Sequence, residues 1–339
     1  MGSIESEAEP ILRSLPTLEH ATDLRIAIIG TGAVGRALGS CLRASDHQVI
    51  FVCRPGSSSE SIREHGLRRT GIFGEVMIPK EEIFVTPSIA NLEPAPFDYV
   101  LVCTKTTANS EVRQTLSSIW PSLGDQSWLV LCQNGWGNSD FFAQALPRER
   151  IANARILTGF RSPDPHTVEV TVHADPIQIG SLFVPETRDL EPLCKAIENG
   201  GIPCQPSNEI EAELWAKLLY NGLLNPLGAL TGANYGELGR SLETRTIMEA
   251  IAYEMFSVLQ ANGSKTFWNE AQAYLEEFYT EILPPTALHE SSMLQDLRAH
   301  RKTEIDSLSG AVVTLGRRHR IHTPINQAML TLVHAAESE

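Results

Sequence analysis

Short apolar runs, each closed by glycine or polar residues, dominate the first half of the chain. Residues 24–29, LRIAII, form a β-branched run that stops at glycine, the pattern of a strand buried on both faces. QVIFVC (48–53), DYVLVCTKT (98–106) and SWLVLCQNG (127–135) repeat that pattern and end in polar residues. Between the first two runs lies GTGAVGRALGSCLRASDH, three glycines followed by a helical stretch. RPGSSSE reads as a loop, and GLRRTGIFGEVMI carries the turn signals of a hairpin. Alternation of buried strand and helix to about residue 150 predicts a parallel α/β sheet. Less regular strands, TVEVTVH and PIQIG among them, continue to about residue 185, and LEPLCKAIENGGIPCQPSNE predicts one more helix and a short strand.

From Ile210 onward the period changes to that of helices, as in TRTIMEAIAYEMFSVLQANG and LSGAVVTLGRRHR. This divides the chain into an α/β part, residues 24–207, and an all-helical part, residues 208–335, with a boundary near 205–210. Residues 1–23 hold several acids and no apolar core, so they resemble neither a secretory nor a mitochondrial signal and read as a flexible tail.

One helical segment carries residues that do not suit its burial. ELWAKLLYNGLLNP (213–226) is apolar on too many faces for a surface helix, yet it holds Lys217, Asn221 and Asn225. Their i, i+4, i+8 spacing sets them on one stripe. Buried polar groups need partners. One reading is a structural network that ties helix to helix. The other is a cleft in which the stripe faces a small polar ligand and a desolvated lysine donates a proton.

With 42% hydrophobic and 20% charged residues among 339, the chain can bury a large core. A net charge of -14 argues against nucleic acid or an anionic membrane as partner, though a local cationic cluster could still take a small anion. No apolar run approaches the ~20 residues of a membrane span, and a cytoplasmic location is expected. Cys41, Cys53, Cys103, Cys132, Cys194 and Cys204 show no metal-like spacing; four lie in apolar stretches and read as small hydrophobes, and no metal is expected.

Gly30, Gly32 and Gly35 form G-x-G-x-x-G between a strand and a helix, with Thr31, Ala33 and Val34 between them. The first glycine permits a tight turn, the second admits a pyrophosphate to the backbone, and the third allows helix and strand to touch. Free N–H groups at the helix start favour the phosphates. At the end of the second strand, where an NAD site usually places a carboxylate, stands Arg54, followed by Pro55, Gly56 and three serines. A guanidinium can grip a 2′-phosphate that a carboxylate would repel, so NADP(H) is expected. Lys105, at the end of another strand, could add charge there or could simply be solvated.

Together GTGAVG, CTKT, QNG (133–135), ELWAKLLYNGLLNPLGAL and SSMLQDLRAHRKTEIDSLSGAVVTLGRRHRIHTPIN (291–326) resemble the ketopantoate reductase (2-dehydropantoate 2-reductase) family. That resemblance spans residues 24 to about 335 and implies a Rossmann-type domain followed by an all-helical one, with the active site between. It implies Lys217 as the general acid that protonates a ketone oxygen, and Glu304 as the carboxylate working with it. By position, Asn221, Asn225 and Ser292 match substrate-binding residues, Asn134 lies at the nicotinamide end, and Arg54 and Lys105 meet the NADP phosphate. The implied reaction is NADPH-dependent reduction of ketopantoate to pantoate, a step in pantothenate synthesis, by an enzyme that is often a homodimer.

Straight helix from Ser292 to Glu304 would separate them by about 18 Å, so Ser292 is expected in a loop or at a helix N-terminus. Asp296, Arg298 and Arg301 read as solvated or structural. Two departures concern the substrate. Tyr235 stands where the family usually carries Asn before GEL, with Asn234 one place earlier, and residues 159–180 are unusually polar, with Arg161, His166, His173 and Asp175. Alternatives are therefore a related reductase of another 2-oxo acid, ketone or imine, or an NADPH sensor without turnover.

Overall fold

The computed structural model describes residues 23–92 and 95–338, so the predicted tail, apart from Asp23, lies outside the described residues. The chain begins β1 (Arg25–Ile29), α1 (Ala33–Ala44), β2 (Gln48–Val52), α2 (Ser57–His65), β3 (Leu67–Gly71), β4 (Val76–Ile78) and β5 (Phe84–Thr86). It continues β6 (Tyr99–Val102), α3 (Asn109–Leu123), β7 (Trp128–Leu131), α4 (Asn138–Phe142), β8 (Ile151–Arg155) and β9 (Thr158–Arg161). Then come β10 (Thr167–His173), β11 (Ile177–Gly180), α5 (Glu191–Asn199) and β12 (Cys204–Pro206). The α-helices that follow are α6 (Ile210–Thr231), α7 (Tyr235–Arg240), α8 (Leu242–Asn262), α9 (Ala271–Glu277), α10 (Ser292–Arg298), α11 (Ser309–His319) and α12 (Pro324–Ala336).

An eight-stranded sheet in the order β12-β11-β8-β7-β6-β1-β2-β5 forms the first layer, and only its β8–β11 pair is antiparallel. Chain order departs in opposite directions from β1, towards β2 on one side and β6 on the other. Ligands of such sheets bind at that switch, beyond the strand C-termini. Ile26 and Ile28 enter one apolar cluster while Ala27 and Ile29 enter another. Both faces are thus covered, which is why these strands read as unbroken apolar runs. The helical part has its own core, in which Trp215, Leu219 and Leu223 of α6 pack with Met255, Tyr274 and Phe278.

Two features depart from the sequence pattern. Residues 57–65, whose first half reads as loop, form α2: Ser59 Oγ accepts the Gly56 N–H (3.0 Å) and donates to the Gly56 carbonyl (2.8 Å), and Ile62 is fully buried. Tertiary burial overrides the weak helix propensity of serine. The β3–β4 hairpin joins β10 and β9 in a separate four-stranded sheet, of which only the hairpin is signalled locally. Among the described residues no helix is long and apolar enough to cross a membrane.

Candidate active site

At the end of β1 the chain turns at Gly30, whose φ of +102° suits glycine. A Cβ there would lie 2.8 Å from the Thr104 nitrogen, and one on Gly35 would lie 2.0 Å from the Gly30 carbonyl oxygen. Gly32 differs: nothing stands within 4 Å of its missing Cβ. α1 also begins with no capping side chain and no acid in its first turn. Its first N–H groups are therefore available to an anion. Beside this turn is a cleft of about 360 Å³, lined by Gly30, Thr31, Arg54, Ser58, Thr104 and Thr115 among others. These residues fit a dinucleotide: an open backbone for the pyrophosphate and, at the rim, an exposed arginine. Ala33 and Val34 pack their side chains against the sheet core instead, contributing backbone to the turn.

Lys105 is not among the residues lining that cleft. It turns towards the helical part, where its ammonium pairs with Asp296 and lies 3.4 Å from the Lys302 carbonyl. Arg54 and Lys105 are thus held at separate places. Asp296 is buried and structural, and it also binds Arg301 (3.1 Å); Arg298 pairs at the surface with Glu290 (2.7 Å).

A second group of residues gathers where the polar ends of β6 and β7 meet α6 and the turn at 304–307. Glu304 accepts from the Thr106 N–H (3.2 Å) through Oε1 and from Asn134 Nδ2 (3.1 Å) through Oε2. Burial pushes its carboxyl above the usual range, partly offset by Asn134, the Thr106 N–H and the nearby lysines. Asn134 is held by a chain of amides: Asn138 Nδ2 donates to its carbonyl (3.1 Å), Asn109 Nδ2 donates to Asn138 Oδ1 (3.0 Å), and Gln133 Nε2 donates to Asn109 Oδ1 (2.7 Å). Sequence reasoning missed this chain, although Gln133 stands in the same QNG motif.

Lys217 is half-buried on α6 and makes no hydrogen bond or ion pair among the described residues. Burial pushes its ammonium down to about 8, against the attraction of Glu304, and Arg155 acts in the same direction as burial. Arg155 was not visible in the sequence as a site residue. It sits at the end of β8 with its side chain 7% exposed, bound through Nη2 to Asp175 (2.5 Å), with Nε 3.8 Å from Glu213. Its Nη1 is buried without a partner among the described residues. Asp175 thus anchors a buried arginine, while Arg161 pairs with Glu169, His166 bonds Ser61 of α2 (3.0 Å), and His173 bonds Thr158 within the smaller sheet (2.9 Å).

The stripe on α6 divides after Lys217. Asn221, half-buried, has no hydrogen-bond partner among the described residues. Asn225 is buried and accepts from the Tyr235 hydroxyl (2.9 Å). Helix α6 runs on through Pro226 to Thr231 because its leucines stay buried on all sides. Ser292 is the first residue of α10, whose last is Arg298, so no straight helix links it to Glu304. Ser292 is exposed; its neighbour Ser291 caps the helix by accepting the Leu294 N–H (3.0 Å) and donates to the Asn225 carbonyl (3.3 Å). Asn234 accepts the Glu237 N–H (2.9 Å) as the cap of α7, which occupies it away from the stripe.

Residues 26–182 match the family described as Ketopantoate reductase PanE/ApbA, and residues 209–337 match Ketopantoate reductase PanE/ApbA C terminal. A 2-dehydropantoate 2-reductase of Aquifex aeolicus (strain VF5) is 30% identical over 317 residues, 93% of this chain and 97% of that protein. This chain belongs to the ketopantoate reductase family. It is an oxidoreductase with a nicotinamide dinucleotide cofactor. The 2-dehydropantoate 2-reductase of Archaeoglobus fulgidus is 26% identical over 93% of this chain and 98% of that one. The crystal structure of 2-dehydropantoate 2-reductase from Geobacter metallireducens GS-15 has a TM-score of 0.80 at 27% identity, covering 92% of this chain and all of that one (100%). D-mandelate dehydrogenase, crystallised with NADH and anilino(oxo)acetate, shares the fold with a TM-score of 0.80 at 24% identity, over 93% and 99% of the two chains.

Proposed function

We propose that this chain reduces ketopantoate to pantoate with NADPH, and that Lys217 donates the proton to the ketone oxygen. The observation that carries this reading is an ammonium held half-buried, without a protein partner, among the polar strand ends. Such a group is costly to keep unless a ligand uses it. Bound NADPH would supply hydride to the C2 carbon. Negative charge then builds on the ketone oxygen, where Lys217 both stabilises and protonates it. Glu304, tethered through Asn134 and the Thr106 N–H, favours the charged form of that lysine.

Asn221, Asn225 and Ser292 bind the hydroxyl and carboxylate of the keto acid. Asn134 stands at the nicotinamide end, residues 30–35 cradle the pyrophosphate, and Arg54 meets the 2′-phosphate. Lys105, drawn to Asp296, reaches the cofactor only by giving up that pair. The proposal takes residues 24–207 and 208–335 as the two domains, and a cytoplasmic homodimer as the working form. Another 2-oxo acid, ketone or imine could use the same lysine.

The test follows NADPH oxidation with ketopantoate and a panel of 2-oxo acids, for the wild type and Lys217→Met. Ketopantoate turnover is expected, reduced by about 10²–10⁴-fold in the variant while NADPH still binds. Binding of NADPH with no turnover of ketopantoate overturns the substrate, and unchanged turnover in the variant overturns the role of Lys217.

A further inference from the structure

Of the two amides on the α6 stripe, one is held in a single orientation. Asn225 Oδ1 accepts from the Tyr235 hydroxyl at 2.9 Å, and the two residues are only 4% and 6% exposed. A carboxamide offers an acceptor at one end and two donors at the other. With Oδ1 engaged, Nδ2 is the free end, and it has no partner among the described residues. Turning the amide over would point donors at the phenol oxygen and leave the phenol proton without an acceptor. The adjacent Tyr220 hydroxyl donates to Thr286 Oγ1 (2.8 Å), and the Tyr235 hydroxyl is bonded to Asn225 rather than to it. A buried hydroxyl proton left unpaired is disfavoured.

Tyr235 is itself held from several sides. Its N–H donates to the His289 carbonyl (3.0 Å), and its ring lies edge-on to Tyr220 and His289 at 5.8 and 6.4 Å between centroids. Asn225 is fixed at its backbone by Ser291, whose hydroxyl donates to its carbonyl. Asn221, one turn nearer Lys217, has no such partner and can present either end of its amide.

We propose that Tyr235 is a positioning residue for substrate recognition: its phenol turns the Asn225 amide so that Nδ2 is left to donate to the substrate. Asn225 then selects a 2-oxo acid bearing a hydroxyl oxygen remote from its ketone. This rests on the reading of Lys217 as proton donor to such an acid. Asn225 stands two helical turns beyond Lys217, so it meets the end of the substrate away from the reacting carbonyl. In ketopantoate that end is the terminal hydroxyl, since the carboxylate adjoins the ketone.

Steady-state kinetics with NADPH test this for the wild type, Tyr235→Phe, Asn225→Ala and the double variant. The probes are ketopantoate and trimethylpyruvate, the analogue lacking only the hydroxyl, used as substrate or as competitive inhibitor. Tyr235→Phe keeps the ring and its packing. It is expected to raise the ketopantoate KM about tenfold while kcat stays within about twofold and the affinity for trimethylpyruvate is unchanged. Adding Asn225→Ala should bring little further loss, because the two residues act through one contact. An unchanged ketopantoate KM, equal weakening of both keto acids, or additive losses would each overturn the proposal.

Asn225→Asp provides a second route should Tyr235→Phe fold poorly: the carboxylate still accepts from the phenol but has no donor for the ligand. It should lose the preference for ketopantoate, and a wild-type preference there would likewise overturn the idea. A wild type that turns over no 2-oxo acid would remove the Lys217 reading and this proposal together. An active wild type unaffected by Tyr235→Phe would remove this proposal alone.

Discussion

Lys217 is the residue whose surroundings make the strongest demand on chemistry. Its ammonium loses water without gaining a direct partner, and burial therefore pushes it down to about 8. Reduction consumes the protonated form, so kcat/KM for the keto acid should be level below that pH and fall tenfold per unit above it. The neighbouring charges give the sign of each perturbation. Glu304 favours the ammonium, so Glu304→Gln should move the alkaline limb to lower pH. Arg155 disfavours it, so Arg155→Met should move the limb to higher pH. Profiles of kcat/KM against pH for the three proteins check this, and limbs that coincide would remove Lys217 as the titrating acid. The lysine and its stripe were legible because helical spacing is a local property. Arg155 was not, because an arginine ending an apolar strand does not announce that α6 will cover it.

At the scale of elements, the β1–α1 turn was legible in detail, since Gly30 and Gly35 answer contacts within a few residues or with the adjacent strand and Gly32 leaves the backbone open. Gly35 lies against the Gly30 carbonyl, Gly30 against Thr104, and Gly32 against nothing. Arg54, just beyond β2, is placed on the same cleft and is the basis for preferring NADPH. Arg54→Gln should raise the NADPH KM roughly 10–100-fold, the worth of a lost charge-assisted contact, while NADH kinetics change little. Parallel titrations with the two cofactors measure it, and equal effects on both would take the 2′-phosphate away from Arg54. Helix α2 escaped the sequence pattern because its stability comes from the buried Ile62 and the Ser59–Gly56 contacts, which outweigh the propensity of a serine run.

In the whole molecule the QNGWG loop is one of the places where the two parts meet. Gly135 has φ +89°, and a Cβ there would lie 2.2 Å from the Ser307 carbonyl oxygen. Trp136 donates its backbone N–H to that same carbonyl (2.9 Å), and its ring packs at a tilt of 37° against Trp215 of α6, with 4.6 Å between centroids. The contact sets Asn134 opposite Glu304. Gly135→Ala should therefore push the 304–307 turn away, lower Tm by about 2–4 °C and reduce turnover at least tenfold, with NADPH binding at the glycine turn retained. Calorimetry with a cofactor titration separates these effects; wild-type turnover in the variant would show that the contact does not organise the site.

Most strands and helices (α2 excepted), the glycine fingerprint and the polar stripe of α6 were determined by the sequence alone, because periodicity and turn chemistry act over neighbouring residues. Tertiary structure decided what faces what. Lys105 is drawn to Asp296, Asn225 is turned by Tyr235, Asp175 anchors Arg155, and β9 and β10 leave the main sheet to pair with a distant hairpin. A linear pattern reports that a face will be dry or wet. Which element covers it, and which of several polar groups finds a partner there, depends on contacts between segments far apart in the chain.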